Sequence, residues 1–212
     1  MKKLSKLFAL ALLIQSPLAA ADNGWYAGLL GGLANQGDQD LLFTPGDVRR
    51  TASLASGILG GGTVGYQFGN GWRLEGEFVY QSVDMDSVNF GAGRPNGDGN
   101  YASTSIAVNA LYEFNGFGSP DVRTYVGLGL VRLTEVDVDF EGAGGERSFS
   151  GSDSAVQALF GARYDLGEHS YLDAGLRYLS ASDVDLKGEG TSGRIRADYQ
   201  PWAITLAWGW RF

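Results

Sequence analysis

The sequence predicts an all-β fold, an eight-stranded antiparallel up-and-down transmembrane β-barrel with short periplasmic turns and four long extracellular loops. Three observations carry that expectation. Large apolar residues alternate with small or polar ones over eight segments, the period-two repeat of strands whose faces meet different surroundings. The links between those segments alternate short and long, as in barrels whose strands turn tightly on one side of a membrane and extend on the other. A leader with the features of an export signal precedes them.

The leader comes first in the chain. Lys2, Lys3 and Lys6 precede a short apolar run from Leu7 to Ile14, and Ala19, Ala20 and Ala21 supply the small residues a signal peptidase reads. The run is too short to cross a bilayer as a helix. Residues 1–21 are therefore expected to be a cleavable signal peptide, and residues 22–212 the barrel domain.

The alternation is clearest over the last eleven residues. Trp202, Ile204, Leu206, Trp208, Trp210 and Phe212 share one face, and Ala203, Thr205, Ala207, Gly209 and Arg211 the other. Trp72, Leu74, Phe78 and Tyr80 oppose Arg73, Glu75, Glu77 and Gln81 in the same way. A third strong segment runs from Ser154 to Leu166. Weaker ones run from Ile58 to Phe68, Ala102 to Phe114, Val122 to Leu130 and Leu172 to Tyr178, and the first, Trp25 to Leu33, is too glycine-rich for its faces to be assigned.

Gly69-Asn70-Gly71 and Gly167-Glu168-His169 read as tight hairpin turns, with a third short link from Asn115 to Pro120. The long links cover about Asn35–Ser53, Met85–Asn100, Val136–Ser152 and Asp183–Gln200, all rich in Gly, Asp and Ser. Aromatic residues gather at both ends of the strands, as the two interfacial girdles of such a barrel would. Tyr66, Phe68, Trp72, Tyr112, Phe114, Tyr164, Trp210 and Phe212 fall near the turns, and Tyr80, Tyr178 and Trp202 near the loops.

Lipid on the large face puts the other face in the lumen, where it collects Arg73, Glu75, Glu77, Glu113, Arg123, Arg163, Asp165, Asp173, Arg177 and Arg211. Five are basic and five acidic, the balance a packed interior needs, because a charge withdrawn from water must be paired. Eight strands leave an interior about wide enough for side chains to fill. Inward glycines at positions 61, 65, 127, 129, 161 and 175 are expected to make room for the long arginines. The cluster is read as a plug holding the barrel rigid, with a gate or small-ion path as the alternative. Inward Leu59, Val79, Leu111, Val131 and Leu159 leave an apolar path in the outer half open as a further reading.

Composition excludes much chemistry. The 212 residues contain no cysteine and one histidine, which removes thiolate nucleophiles and disulfides and leaves few ligands for a metal. No cofactor and no metal are expected. The chain carries 16 basic and 24 acidic residues, net −8, and removing the leader's three lysines lowers this to −11. Such a balance disfavours nucleic acid as a partner. Acyl transfer needs a base beside a hydroxyl, and His169 lies in a predicted turn at the periplasmic end, so the chain is read as non-enzymatic.

These features together resemble the outer-membrane β-barrel family that includes the OmpA transmembrane domain, OmpX and the Ail adhesins. The residues that carry the likeness are the leader, the opening Gly24-Trp25-Tyr26-Ala27-Gly28, the eight alternating segments and the ending Trp208-Gly209-Trp210-Arg211-Phe212. The resemblance implies that Trp208, Trp210 and Phe212 form a signal read by the barrel assembly machinery. It also implies a place in a bacterial outer membrane, among its lipid and lipopolysaccharide.

The leading functional expectation is a non-enzymatic surface barrel that contributes to envelope integrity, with loops available to a host or surface ligand for adhesion or resistance. The alternative is a narrow OmpW-like channel for ions or small apolar molecules. Arg49, Arg50, Arg94, Arg194 and Arg196 fall in loops, where guanidinium forks suit lipopolysaccharide phosphates. Asp137, Asp139 and Glu141 make an acidic strip whose spacing matches no calcium-loop motif and reads as surface hydration. A soluble ligand-carrying barrel would turn the apolar faces inward instead.

Overall fold

A computed structural model describes residues 23–37, 39–44, 48–54, 56–88, 97–115, 121–142, 145–188 and 194–212. The leader and the link 116–120 lie outside the described residues. The strands are β1 (Gly24–Asn35), β2 (Gln39–Thr44), β3 (Val48–Leu54), β4 (Ser56–Gln67), β5 (Trp72–Val88), β6 (Gly97–Asn115), β7 (Val122–Gly142), β8 (Gly145–Asp165), β9 (Ser170–Gly188), β10 (Arg194–Tyr199) and β11 (Trp202–Arg211).

Antiparallel pairing runs β1–β4–β5–β6–β7–β8–β9–β11, and β11 pairs back onto β1 from Tyr26↔Arg211 to Asn35↔Trp202. The eight strands form a closed barrel with no free edge, the condition for crossing a bilayer with strands. Each contains one of the eight alternating segments. Tight turns close one end: Phe68 N–H donates to the Trp72 carbonyl at 2.8 Å, and Leu166 N–H to that of Ser170 at 3.0 Å. Gly71, at φ 84°, takes the left-handed conformation that the first of these turns requires.

The large face points outward. Leu29, Leu33, Phe78, Leu128, Leu130 and Leu206 are exposed around the wall, which overturns the soluble-barrel alternative and is the arrangement expected of a wall facing lipid.

The long links differ from expectation: most of their described residues are strand. β5 to β9 continue past the apolar band, and β10, β2 and β3 take over the places that β11, β1 and β4 vacate. The pairing β9–β10–β2–β3–β5 thus completes a second eight-strand ring stacked on the first. In this extension the polarity reverses. On β7, Leu128 and Leu130 are 71% and 72% exposed, whereas Val136 and Val138 are fully buried.

A bulge achieves the reversal. Leu133 and Val136 both face inward although they stand an odd number of positions apart, because the register with β8 shifts between them and leaves Thr134 and Glu135 both exposed. Outside the membrane the barrel wall meets water, so the apolar face turns in. Val83, Tyr101, Leu133, Phe149, Leu186 and Ile195 belong to the resulting core. Tyr101 and Tyr199 stack within it, ring centroids 5.4 Å apart and planes 6° from parallel. Burial there pushes the Tyr199 hydroxyl up to about 12.

None of the predicted inward glycines makes room for an arginine, correcting the expectation: Gly65, Gly161 and Gly175 face tyrosines, Gly127 faces Leu111, Gly129 faces Asn109 and Gln157, and Gly61 lies against the backbone of Phe78. A Cβ on Gly65 would collide with the Tyr26 ring, one on Gly161 with that of Tyr125, and one on Gly209 with that of Tyr171. Gly60 faces outward, and the nearest atom to its added Cβ is the Leu30 carbonyl oxygen at 3.9 Å. Gly65→Ala should therefore destabilise the barrel by about 1–3 kcal/mol through overpacking, and Gly60→Ala by less than about 0.5 kcal/mol. Urea midpoints for folded protein in detergent, read from heat-dependent gel migration, check the contrast.

Candidate functional site

The candidate site is the lumen of the membrane-spanning ring. The inward positions of β5 place Arg73, Glu75 and Glu77 one above another. β6 contributes Glu113, β7 Arg123, β8 Arg163 and Asp165, β9 Asp173 and Arg177, and β11 Arg211. The structure brings all ten together.

Glu113 lies at the centre of the lower layer and is almost fully buried. Its Oε1 stands 3.1 Å from Arg73 Nε and 3.8 Å from Arg163 Nη1, and its Oε2 stands 3.6 Å from Arg123 Nη1. Gln67 Nε2 donates to the same Oε2 at 2.8 Å. Beside it, Asp165 joins Arg123 at 2.5 Å and also pairs with Arg211. Asp173 completes this level, accepting from the Tyr125 hydroxyl at 2.7 Å and lying 3.5 Å from Arg163 Nε.

Three tyrosines line the network. Arg163 lies over Tyr171 with its guanidinium carbon 3.7 Å from the ring centroid and 4.8 Å from that of Tyr26, while Arg73 covers Tyr125 at 4.7 Å. Cation–π contact of this kind strengthens when the cation is withdrawn from water. Tyr26 also donates to Glu75 at 2.9 Å.

The upper layer is a fork. Arg177 Nη1 and Nη2 donate to the two oxygens of Glu77 at 3.0 and 2.6 Å, the planar bidentate geometry that makes arginine–carboxylate pairs strong. Gln157 Nε2 reaches Asn109 Oδ1 at 2.6 Å and Glu77 Oε1 at 3.3 Å, and Asn109 Nδ2 reaches Glu75 Oε1 at 3.4 Å. Within the network remains a cavity of about 40 Å³ lined by Arg73, Glu75, Glu77, Arg163, Asp173 and Arg177, among others, space for roughly three waters.

Tyr26, Tyr125, Tyr171, Gln67, Asn109 and Gln157 were not among the sequence-predicted site residues. Tyr125 shares the parity of Arg123, and Tyr171 that of Asp173, so alternation contained the signal; Tyr26 lies in the strand whose faces glycine obscured. Four of the predicted inward aliphatic residues, Leu59, Val79, Leu111 and Val131, are buried. Leu159 is half-buried and borders the cavity.

The other predicted residues are dispersed. The Trp208 and Trp210 rings lie 4.4 Å apart with their planes tilted by 50° near the turn end of β11, and Phe212 N–H donates to the Trp25 carbonyl at 2.9 Å. Trp25–Tyr66, Tyr66–Phe68 and Trp72–Tyr112 contacts extend this aromatic belt. His169 is exposed in the β8–β9 turn, where its carbonyl accepts from Arg211 N–H. Arg196 pairs at 3.5 Å with Asp185 on the outer face of the extension. Arg94 lies outside the described residues, as do the side chains of Arg49, Arg50 and Glu141.

A closed barrel with an apolar wall and a charge-paired interior defines an outer-membrane β-barrel. The chain belongs to the outer membrane protein beta-barrel domain family, whose model matches residues 6–212, and its place is the bacterial outer membrane. Among solved structures it is similar to the outer membrane protein OprG from Pseudomonas aeruginosa, at 17% identity over 89% of this chain and 96% of that one, with a TM-score of 0.65. AlkL in lipid bilayers is also 17% identical over 93% of this chain and 94% of that one, TM-score 0.53. Neisserial surface protein A is 17% identical, covering 89% and 97%, TM-score 0.52. At these identities the likeness is one of fold. No curated protein matches the sequence.

Removing the shared carboxylate would leave buried guanidinium groups without their partner. Glu113→Ala should cost about 3–5 kcal/mol, whereas Asp185→Ala, whose ion pair is half-exposed on the surface, should cost at most about 1 kcal/mol. Denaturant midpoints of the folded species in detergent check both values.

Proposed function

We propose that the protein is a non-enzymatic surface barrel whose filled interior makes it a rigid wall element of the outer membrane, contributing to envelope integrity. Its projecting extension presents surface for adhesion or resistance through a host or surface ligand. The observation that carries this reading is the lumen: five arginines and five carboxylates are joined across it, and the cavity they enclose is only about 40 Å³. Above them the described inward residues form an apolar cluster. An ion would have to pass both the paired charges and the apolar layer above them, whose desolvation cost opposes passage.

A second reading, a narrow OmpW-like channel for ions or small apolar molecules, draws on one feature. A cavity of about 20 Å³ lies where β11 gives way to β10, bordered by Leu133, Leu179, Tyr199, Pro201 and Trp202 among others. In planar bilayers the refolded protein should be electrically silent, and Arg177→Ala should leave it so, because the apolar core above Glu77 remains. Steady conductance that the substitution alters would favour the channel. Uptake of a small apolar dye by loaded vesicles, abolished by Leu179→Trp, would favour its apolar form.

The reading includes export through a signal peptide over residues 1–21 and recognition of Trp208, Trp210 and Phe212 by the barrel assembly machinery. The outward alternation of these aromatics along the last strand supports that role. Phe212→Ala should lower the assembled, heat-modifiable fraction in cells several-fold while leaving refolding into detergent intact, since the side chain is 81% exposed and removed from the core.

A further inference from the structure

Inside the barrel every arginine stands against a carboxylate. Arg132 does not. It projects from β7 on the outer wall, exposed, and its partners are two hydroxyls: Nη1 donates to Ser154 Oγ at 3.2 Å and Nη2 to Ser152 Oγ at 3.1 Å. Among the described residues no carboxylate stands within ion-pair distance of it.

Its height on the wall is informative. Ile106, Arg132 and Ser154 lie directly opposite one another on three adjacent strands and so share the outer face. Ile106, Leu130 and Val156, beside and below Arg132, are exposed members of the lipid-facing apolar band. Immediately above come Thr134 and Glu135, both exposed, where the bulge marks the change from lipid to water. Arg132 thus stands at the loop-end boundary of the band, at the headgroups of the outer leaflet.

The serine hydroxyls hold one edge of the guanidinium against the sheet and occupy two of its five donors. The remaining donors are free to donate bidentately to a tetrahedral anion, a geometry that arginine supplies and lysine does not. At this depth and on this side of the membrane the available anion is the phosphate of the outer leaflet's glycolipid.

We infer that Arg132, oriented by Ser152 and Ser154, is a binding site on the outer wall for a lipid A phosphate of lipopolysaccharide. The inference rests on the reading of lipopolysaccharide as the protein's lipid partner and assigns that contact to the wall of the barrel, below the arginines of the extension.

The test uses full-length mature protein in nanodiscs, with bound lipid counted by native mass spectrometry. The probes are bisphosphorylated lipid A, the same lipid with its phosphates removed, and inorganic phosphate. Wild type should retain the phosphorylated lipid at least tenfold more than the dephosphorylated form. Arg132→Gln should abolish that preference, Arg132→Lys should restore part of it, and Ser152→Ala with Ser154→Ala should reduce it about threefold. Heat-dependent migration of each variant confirms that the barrel is intact.

An unchanged preference in Arg132→Gln would overturn the site. If Arg194→Glu with Arg196→Glu alone removed the preference, the glycolipid contact would belong to the extension and this assignment would fail while the broader reading stood. Absence of any preference in wild type would remove both. Inorganic phosphate competing as effectively as lipid A would overturn the assignment to a lipid and leave a simple anion site.

Discussion

Glu113 lies where Arg73, Arg123 and Arg163 converge, and its two oxygens tie together strands β5, β6, β7 and β8, four neighbours in the wall. An arginine in that space cannot retain its hydration, since eight strands enclose little more than their own side chains. Each guanidinium must find a carboxylate, a hydroxyl or an aromatic face from another strand. Some pairs join neighbouring strands, as Arg163 and Asp173 do, and others cross the barrel, as Arg177 and Glu77 do. The tyrosines occupy what the arginines leave uncovered, and glycine on the facing strand lets their rings lie flat.

The same constraint, applied outside the membrane, gives the opposite arrangement. β7 carries leucines outward in its first half and valines inward in its second, with the bulge after Leu133 changing the phase. Nothing in the backbone pairing requires the change. It follows from the surroundings: hydrocarbon receives the apolar face below, and with water outside, only the interior can receive it above. The extension is therefore an apolar core stacked on a polar one, joined by β5 to β9, which pass through both.

These two interiors bear on what the molecule can do. A polar, charge-paired layer and an apolar one lie in series along the barrel. The exchange of β11, β1 and β4 for β10, β2 and β3 is the one level at which the wall changes strands. The cavity beside Pro201 and Trp202 lies there and is also bordered by Arg177 of the charge network.

The sequence by itself determined the eight membrane strands, the outward direction of their large residues and the ten charges that share the lumen, because alternation with a period of two is written locally in each segment. It could not say which charges pair: Glu77 meets Arg177 from a strand one hundred residues away, and that proximity exists only once the barrel closes. Tyr26 escaped notice because glycine on both sides of it carries no facial information. In the sequence the extension has the character of loop, because it is rich in Gly, Asp and Ser. Tertiary structure alone decided that alternate residues among them, Val136, Val138, Leu186 and Ile195, would be shielded by a second ring, since burial of a strand's apolar side depends on which strands stand opposite it.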